Sequence, residues 1–164
     1  MTNPATEHDT LRELFDQSLA ASLAVLDAGS PAVSLVTYTC TWSPLRLYLC
    51  VSELSSHTPA LRAAPRCSLL IHRDPSPSDP HSNHAITRAM IQCDAKFISR
   101  DEAELRGVTA QWRAKYAITD MLLGLSDFSF VELTPLSATL ILGFGRAFRC
   151  TGENLAVLEH QRPR

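Results

Sequence analysis

The segment 45–52 alternates without a fault. Leu45, Leu47, Leu49 and Val51 fall on one side, and Arg46, Tyr48, Cys50 and Ser52 on the other. A period of two is the signature of a strand with one buried face. A second run rich in β-formers, 32–39, precedes it across Trp42-Ser43-Pro44, and two such runs around a short turn predict a hairpin. Further strands are predicted at 67–72, 87–98, 128–133 and 138–150, the last two separated by Thr134-Pro135.

Helical signals are fewer. Leu11, Leu14, Phe15, Leu19, Leu23 and Leu26 follow roughly helical spacing, Thr10 with Glu13 fits a capping box, and Gly29-Ser30-Pro31 is a stop. The spacing predicts a helix over 10–27. Thr58-Pro59 reads as an N-cap with Pro at the first helical position, opening a short helix to Ala63. A helix over 101–116 would bury Leu105, Val108 and Trp112, and a helical turn follows at 119–125. Pro75, Pro77 and Pro80 make 73–86 a loop. Six strands with short connections and no βαβ alternation predict a mainly β, α+β fold. Its architecture is a small, closed or nearly closed antiparallel barrel with flanking helices.

The 164 residues and 45% hydrophobic content suit one domain over 1–150 with its N-terminal helix, followed by a C-terminal tail, 151–164. That content excludes a disordered chain. No apolar run is long enough to span a bilayer, and the first ten residues lack a secretory signal's basic and apolar regions. The five cysteines are odd in number, widely spaced and set in apolar stretches, which predicts a reducing, cytoplasmic setting. A net charge of −2 gives no footprint for nucleic acid. Lys96 and Lys115 are the only lysines among 15 basic residues; the bland reading of this arginine bias is coding bias, and the sharper one is a few local anion contacts.

Ser52, Ser55, Ser56 and Thr58 offer hydroxyls where a strand passes into a short helix, and His57 adds a ring donor or a charge. Arg66 and Arg88 each supply a guanidinium able to close a phosphate clamp. The bland alternative is that these hydroxyls cap the helix and fill the turn. Asp79, His81 and His84 contain transition-metal donors but lack a helix to hold them and a fourth ligand, so they read as a polar loop. Gly143-Phe144-Gly145 is too short for a nucleotide loop and reads as a bulge or a close backbone approach.

Three stretches taken together carry a resemblance: Ser52-x-Leu54-x-x-His57-Thr58-x-x-Leu61 with Pro65-Arg66-x-Ser68-Leu69-Leu70-Ile71, the strand from Thr87, and 126–148 with Gly143-Phe144-Gly145-Arg146-Ala147. The sequence resembles the pyridoxamine 5′-phosphate oxidase-like, FMN-binding split-barrel superfamily, and within it the haem-utilisation branch of HugZ and HutZ type. The resemblance implies a six-stranded split β-barrel and a homodimer with FMN or haem between the subunits. It also implies a small-molecule substrate. Under an FMN reading Ser52, Ser55, Ser56, His57, Thr58, Arg66, Arg88 and Arg146 bind the cofactor and the flavin performs oxidoreductase chemistry. Under a haem reading, of a haem-binding or haem-degrading protein, His160 is the iron ligand. Arg88 and Arg146 then meet propionates or a distal ligand, and Asp127 orients the histidine. A third reading is a non-catalytic cofactor-binding module. The classical oxidases carry a basic strand where this chain has Ser34-Leu35-Val36-Thr37-Tyr38, with no Arg or Lys. That loss argues against pyridoxamine phosphate oxidation and favours the second or third reading.

Overall fold

A computed structural model describes residues 6–76, 78 and 82–162. It begins with α1 (Glu7–Gln17), β1 (Ala20–Asp27), β2 (Ser30–Trp42), β3 (Leu45–Ser52), α2 (His57–Ala63) and β4 (Arg66–His72). It continues with β5 (Arg88–Ile98), α3 (Arg100–Leu105), α4 (Val108–Lys115), α5 (Thr119–Leu123), β6 (Phe128–Ile141), β7 (Ala147–Thr151) and β8 (Val157–Gln161). The strands run in the order β3-β2-β1-β4-β5-β6, and antiparallel pairing of β3 with β6 closes them into a six-stranded barrel. β7 and β8 extend the sheet beyond β6. Leu45, Leu47, Leu49 and Val51 all point into the core, as their alternation requires.

The helix expected over 10–27 is instead a short helix and a strand. α1 is capped by Thr6, whose side chain accepts from the Asp9 N–H while Asp9 accepts from the Thr6 N–H, so the capping box lies four residues earlier than Thr10-Glu13. From Ala20 the burial period becomes two: Ala21, Leu23 and Val25 are inside, whereas Leu19 and Leu26 are exposed. Leucines three and four apart fit a helix on paper, but pairing with both β2 and β4 overrides that spacing. Gly29 is therefore a hairpin residue. With Ala28 it takes positive φ, 49° and 83°, as a tight β1–β2 turn needs.

Three other boundaries shift for physical reasons. The 101–116 helix breaks at Gly107, which takes φ 73°. The break leaves Leu105 exposed while Val108 and Trp112 stay buried. The segments 128–133 and 138–141 are one strand, because β6 bulges at Leu136, opposite the Gln92–Cys93 step of β5, and so accommodates Pro135. The strand expected to run to 150 turns instead at Gly143-Phe144-Gly145, where both glycines have positive φ. The turn starts the β7–β8 hairpin, so 157–161 is sheet rather than tail.

The main core fills the barrel and is sealed at one end by Leu11, Leu14 and Phe15 of α1. A second cluster, Tyr48, Ile98, Ala103, Val108, Trp112 and Phe130, lies on the barrel wall under α3 and α4. Arg106 reaches the nearly buried Glu132 there, and both contact the Tyr48 hydroxyl. Among the described residues no helix is long and apolar enough to cross a membrane.

Candidate functional site

The predicted site residues gather at two places. The first is the β3–α2 junction. β6 pairs with β3 so that Phe128 faces Ser52, which places Asp127 against the Ser52 hydroxyl, O···O 2.6 Å. The same Ser52 oxygen accepts from the Leu54 N–H at 3.1 Å. Thr58 is fully buried, inside α2 rather than at its cap, and its hydroxyl donates to the Ser52 carbonyl at 2.6 Å. The N-cap is Ser56, whose side chain makes no capping bond. His57 is buried, and desolvation pushes its pKa below the ordinary histidine range, which favours the neutral ring. Two of the hydroxyls predicted to bind an anion are thus committed to the junction itself.

The arginines do not converge on that junction to form one clamp. Arg66 starts β4 and pairs with Asp94 across the ladder at 2.8 Å. Arg88 faces His72 at the other end of the same ladder, six residues or about 20 Å away. Its guanidinium donates to the Ile86 carbonyl at 3.1 Å.

The second place is this far end. The register runs Arg88, Ile141, Ala147, Gln161 across β5 to β8, so Arg88, Arg146 and His160 lie at one end of the sheet. Arg146 pairs with Glu7 of α1 at 3.3 Å. His160 is the direct partner of Phe148, with ring centroids 5.1 Å apart and edge to face. Its Nε2 lies 3.2 Å from the Gly145 carbonyl. A carbonyl only accepts, so Nε2 carries the proton and Nδ1 keeps the lone pair. Phe144, at the tip of the neighbouring turn, is almost fully exposed. Asp127 is at the opposite end of β6 from this group, so within one subunit it cannot orient His160.

Sequence reasoning passed over His72. It ends β4 pointing outward, and its Nδ1 donates to the Arg73 carbonyl at 2.8 Å. It lines a cavity of about 430 Å³ between the end of α1, the start of β1 and the end of β4. The alternation in Cys67-Ser68-Leu69-Leu70-Ile71-His72 shows the outward face, but only the fold brings α1 beside it. Of the polar-loop histidines, His81 lies outside the described residues. Among the described residues no three His, Cys, Asp or Glu side chains group as a metal site.

A closed six-stranded antiparallel barrel flanked by short helices, with the 47–71 and 126–148 stretches side by side on it, defines the split-barrel class of fold, which this chain shares with a solved pyridoxamine 5′-phosphate oxidase-like protein from Listeria innocua at a TM-score of 0.61 and 17% identity. It matches the HugZ and HutZ branch. No family model matches the chain. The chloroplastic haem oxygenase HOZ of Arabidopsis thaliana is 30% identical over 151 residues, covering 88% of this chain and 43% of that protein. The haem oxygenase HutZ of Vibrio cholerae is 25% identical over 152 residues, covering 92% of this chain and 84% of its own length. A solved haem-binding protein from Mycobacterium smegmatis superposes with a TM-score of 0.79 at 28% identity, over 94% of this chain and 62% of that one. The chain thus spans less than half of the plant relative and under two thirds of the mycobacterial structure.

Proposed function

We propose that this protein binds haem and serves haem degradation, with His160 as the iron ligand. The observation that carries the reading is the setting of His160. It stands on a paired strand, its ring rests on Phe148, and its Nε2–H is tied to the Gly145 carbonyl. That is how proteins present a histidine to a metal: one ring nitrogen hydrogen-bonded to fix tautomer and direction, the other available. Arg146, in the turn beside His160, suits a propionate carboxylate, whereas Arg88 lies in the adjacent row on the other face of the sheet. The relatives named as haem oxygenases support haem over FMN, and the missing basic strand at 34–38 points the same way. Bound haem would supply the dioxygen and electron chemistry. The chain's own part is to hold the iron from one side, anchor the propionates and shield the ring from water.

We further propose a homodimer with the cofactor at its seam. The outer face of the sheet is charge-poor where β1, β2, β4 and β5 meet: Ser22, Ala24, Val33, Leu35, Ser68, Leu70, Met90 and Gln92 share it. Val33 and Leu35 are 71% and 79% exposed, and contiguous apolar surface of this kind marks an interaction site. A second copy of the chain fits it, because a two-fold axis brings a patch against itself.

The test is a haemin titration of the full chain followed in the visible spectrum. A saturable Soret band that is lost in His160→Ala supports the reading. A Soret band unchanged in that variant refutes the ligand assignment. If haemin gives no band and FMN gives a two-banded flavin spectrum, the protein is a flavoprotein. Failure of both cofactors leaves the non-catalytic module.

A further inference from the structure

We infer that Glu7 guards Arg146: its carboxylate holds the guanidinium in the free protein and yields it to a propionate of haem, which releases the first turn of α1. This rests on the haem reading above and on Arg146 as a propionate anchor. It concerns a residue of α1 that the reading itself does not use.

Three observations carry it. The first is the contact. Arg146 Nη2 donates to Glu7 Oε1 at 3.3 Å, from the turn that also presents the Gly145 carbonyl to His160. No other carboxylate pairs with Arg146 among the described residues. A propionate arm ends in the same chemical group as Glu7 and is drawn to the same fork. Two carboxylates on one guanidinium would set like charges side by side, so each weakens the other's hold.

The second observation is the ease of exchange. The side chains of Arg146 and Glu7 are both about half exposed, and an exposed pair is worth little and changes partners at small cost. The Arg106–Glu132 pair is the contrast. There the carboxylate is nearly buried and also accepts from the Tyr48 hydroxyl, so parting it from Arg106 would strand a buried charge.

The third observation is what Glu7 fastens. α1 is anchored through its second half: Leu11, Leu14 and Phe15 are buried, the Phe15 carbonyl accepts from the Tyr38 hydroxyl, and Asp16 accepts from Trp42 Nε1 at 2.9 Å. Glu13 pairs with Arg73 at 3.1 Å. No residue of the first turn, 7–10, is fully buried. The Thr6–Asp9 capping bonds are internal to that turn. Among the described residues, its one ion pair to the barrel is Glu7–Arg146. Losing that pair frees the turn while the rest of α1 keeps the barrel sealed.

The experiment is a haemin titration of the full chain as wild type, Glu7→Gln, Glu13→Gln, Arg146→Gln and the Glu7→Gln/Arg146→Gln double variant. Deuterium exchange of amides 10–13, which bond back to carbonyls of the first turn, is read with and without haemin. Glu7→Gln should tighten haemin binding about two- to five-fold, the scale of an exposed pair, and should change nothing once Arg146 is gone. Glu13→Gln removes the same charge from the same helix and should leave the affinity as it is. Haemin should speed exchange in wild type, and Glu7→Gln should already exchange fast without it. Equal tightening in Glu7→Gln and Glu13→Gln would be an effect of net charge and overturns the inference. A gain that persists in the double variant overturns it too, as does wild-type exchange that haemin leaves unchanged. If Arg146→Gln binds like wild type while His160→Ala loses its band, the inference fails and the haem reading stands. No Soret band in wild type refutes the haem reading, and this inference with it.

Discussion

His160 stacks edge-on against Phe148, 5.1 Å between ring centroids, because β8 folds back on β7 with these two residues directly opposed. The phenyl ring is partly buried against the barrel core, so it acts as a fixed wall for the imidazole. Phe148→Leu keeps most of the apolar volume but removes that flat edge. Under the haem reading it should weaken haem binding about 10-fold, the lower end of what loss of a ligand-orienting contact costs. A Soret titration checks this, with the thermal midpoint measured in parallel to show that the fold is retained.

Tyr38 ties the barrel to its lid. Its hydroxyl is buried and donates to the Phe15 carbonyl at 2.8 Å, near the C-terminal end of α1. Burial raises its pKa, so the phenol stays protonated and remains a donor at any physiological pH. Tyr38→Phe removes the donor and leaves a buried carbonyl unpaired. The expected loss is about 1–2 kcal/mol, read as a lower urea midpoint with an unchanged denaturant slope.

All five cysteines should be slow to react in the folded protein. Cys67 and Cys93 face one another across β4 and β5 inside the core. Burial pushes the thiols of Cys67 and Cys40 up to about 12 and that of Cys50 to about 11, and it raises Cys93 and Cys150 as well. The thiolate is the reactive form, and at pH 8 it is scarce at each of these positions. A disulfide reagent should titrate fewer than one thiol per chain over minutes in buffer. In denaturant it should titrate all five.

The barrel was legible because its clearest signal is local. The alternation over 45–52 fixes which side of β3 is inside, and β3 is also the strand that closes the barrel on β6. β1 was not legible, because Leu19, Leu23 and Leu26 follow a helical spacing, and only pairing with β2 and β4 selects the period-two set Ala21, Leu23 and Val25. The site divides in the same way. The Ser52–Thr58 cluster is contiguous in sequence and so was visible, but Asp127, which takes the Ser52 hydroxyl, comes from 75 residues away. Arg66 and Arg88 look like partners in sequence, yet an antiparallel hairpin sets them at opposite ends of one ladder. His72 comes beside the end of α1 and the start of β1 only through the fold.

The charge-poor outer face should hold two copies of the chain together. Leu35 is 79% exposed at its centre, opposite Ser22 in the register. Leu35→Glu would place two like charges near a two-fold axis and desolvate both, a cost of several kcal/mol. Sedimentation velocity should show a dimer for wild type and a monomer for this variant. Leu105→Glu, changed at an 89% exposed leucine on α3, should stay dimeric. A wild-type monomer at tens of micromolar would remove the dimer proposal.

His57 should make the fold sensitive to mild acid. Its ring is buried beside the β3–α2 junction, and desolvation lowers its pKa in the folded state below the ordinary value of 6.5. Above pH 6.5 the ring is neutral in both the folded and unfolded chain, and it adds no pH dependence. Below that value the unfolded chain takes up a proton that the folded chain still refuses, so stability falls as pH falls. The loss stops growing once the folded-state pKa is passed, since both states are then protonated. His57→Gln keeps a polar side chain of similar length but cannot titrate. Urea midpoints measured at pH 7.5, 6.5 and 5.5 should fall more steeply for wild type than for this variant, whatever their offset at pH 7.5. Parallel curves would mean that the imidazole reaches solvent and titrates equally in both states.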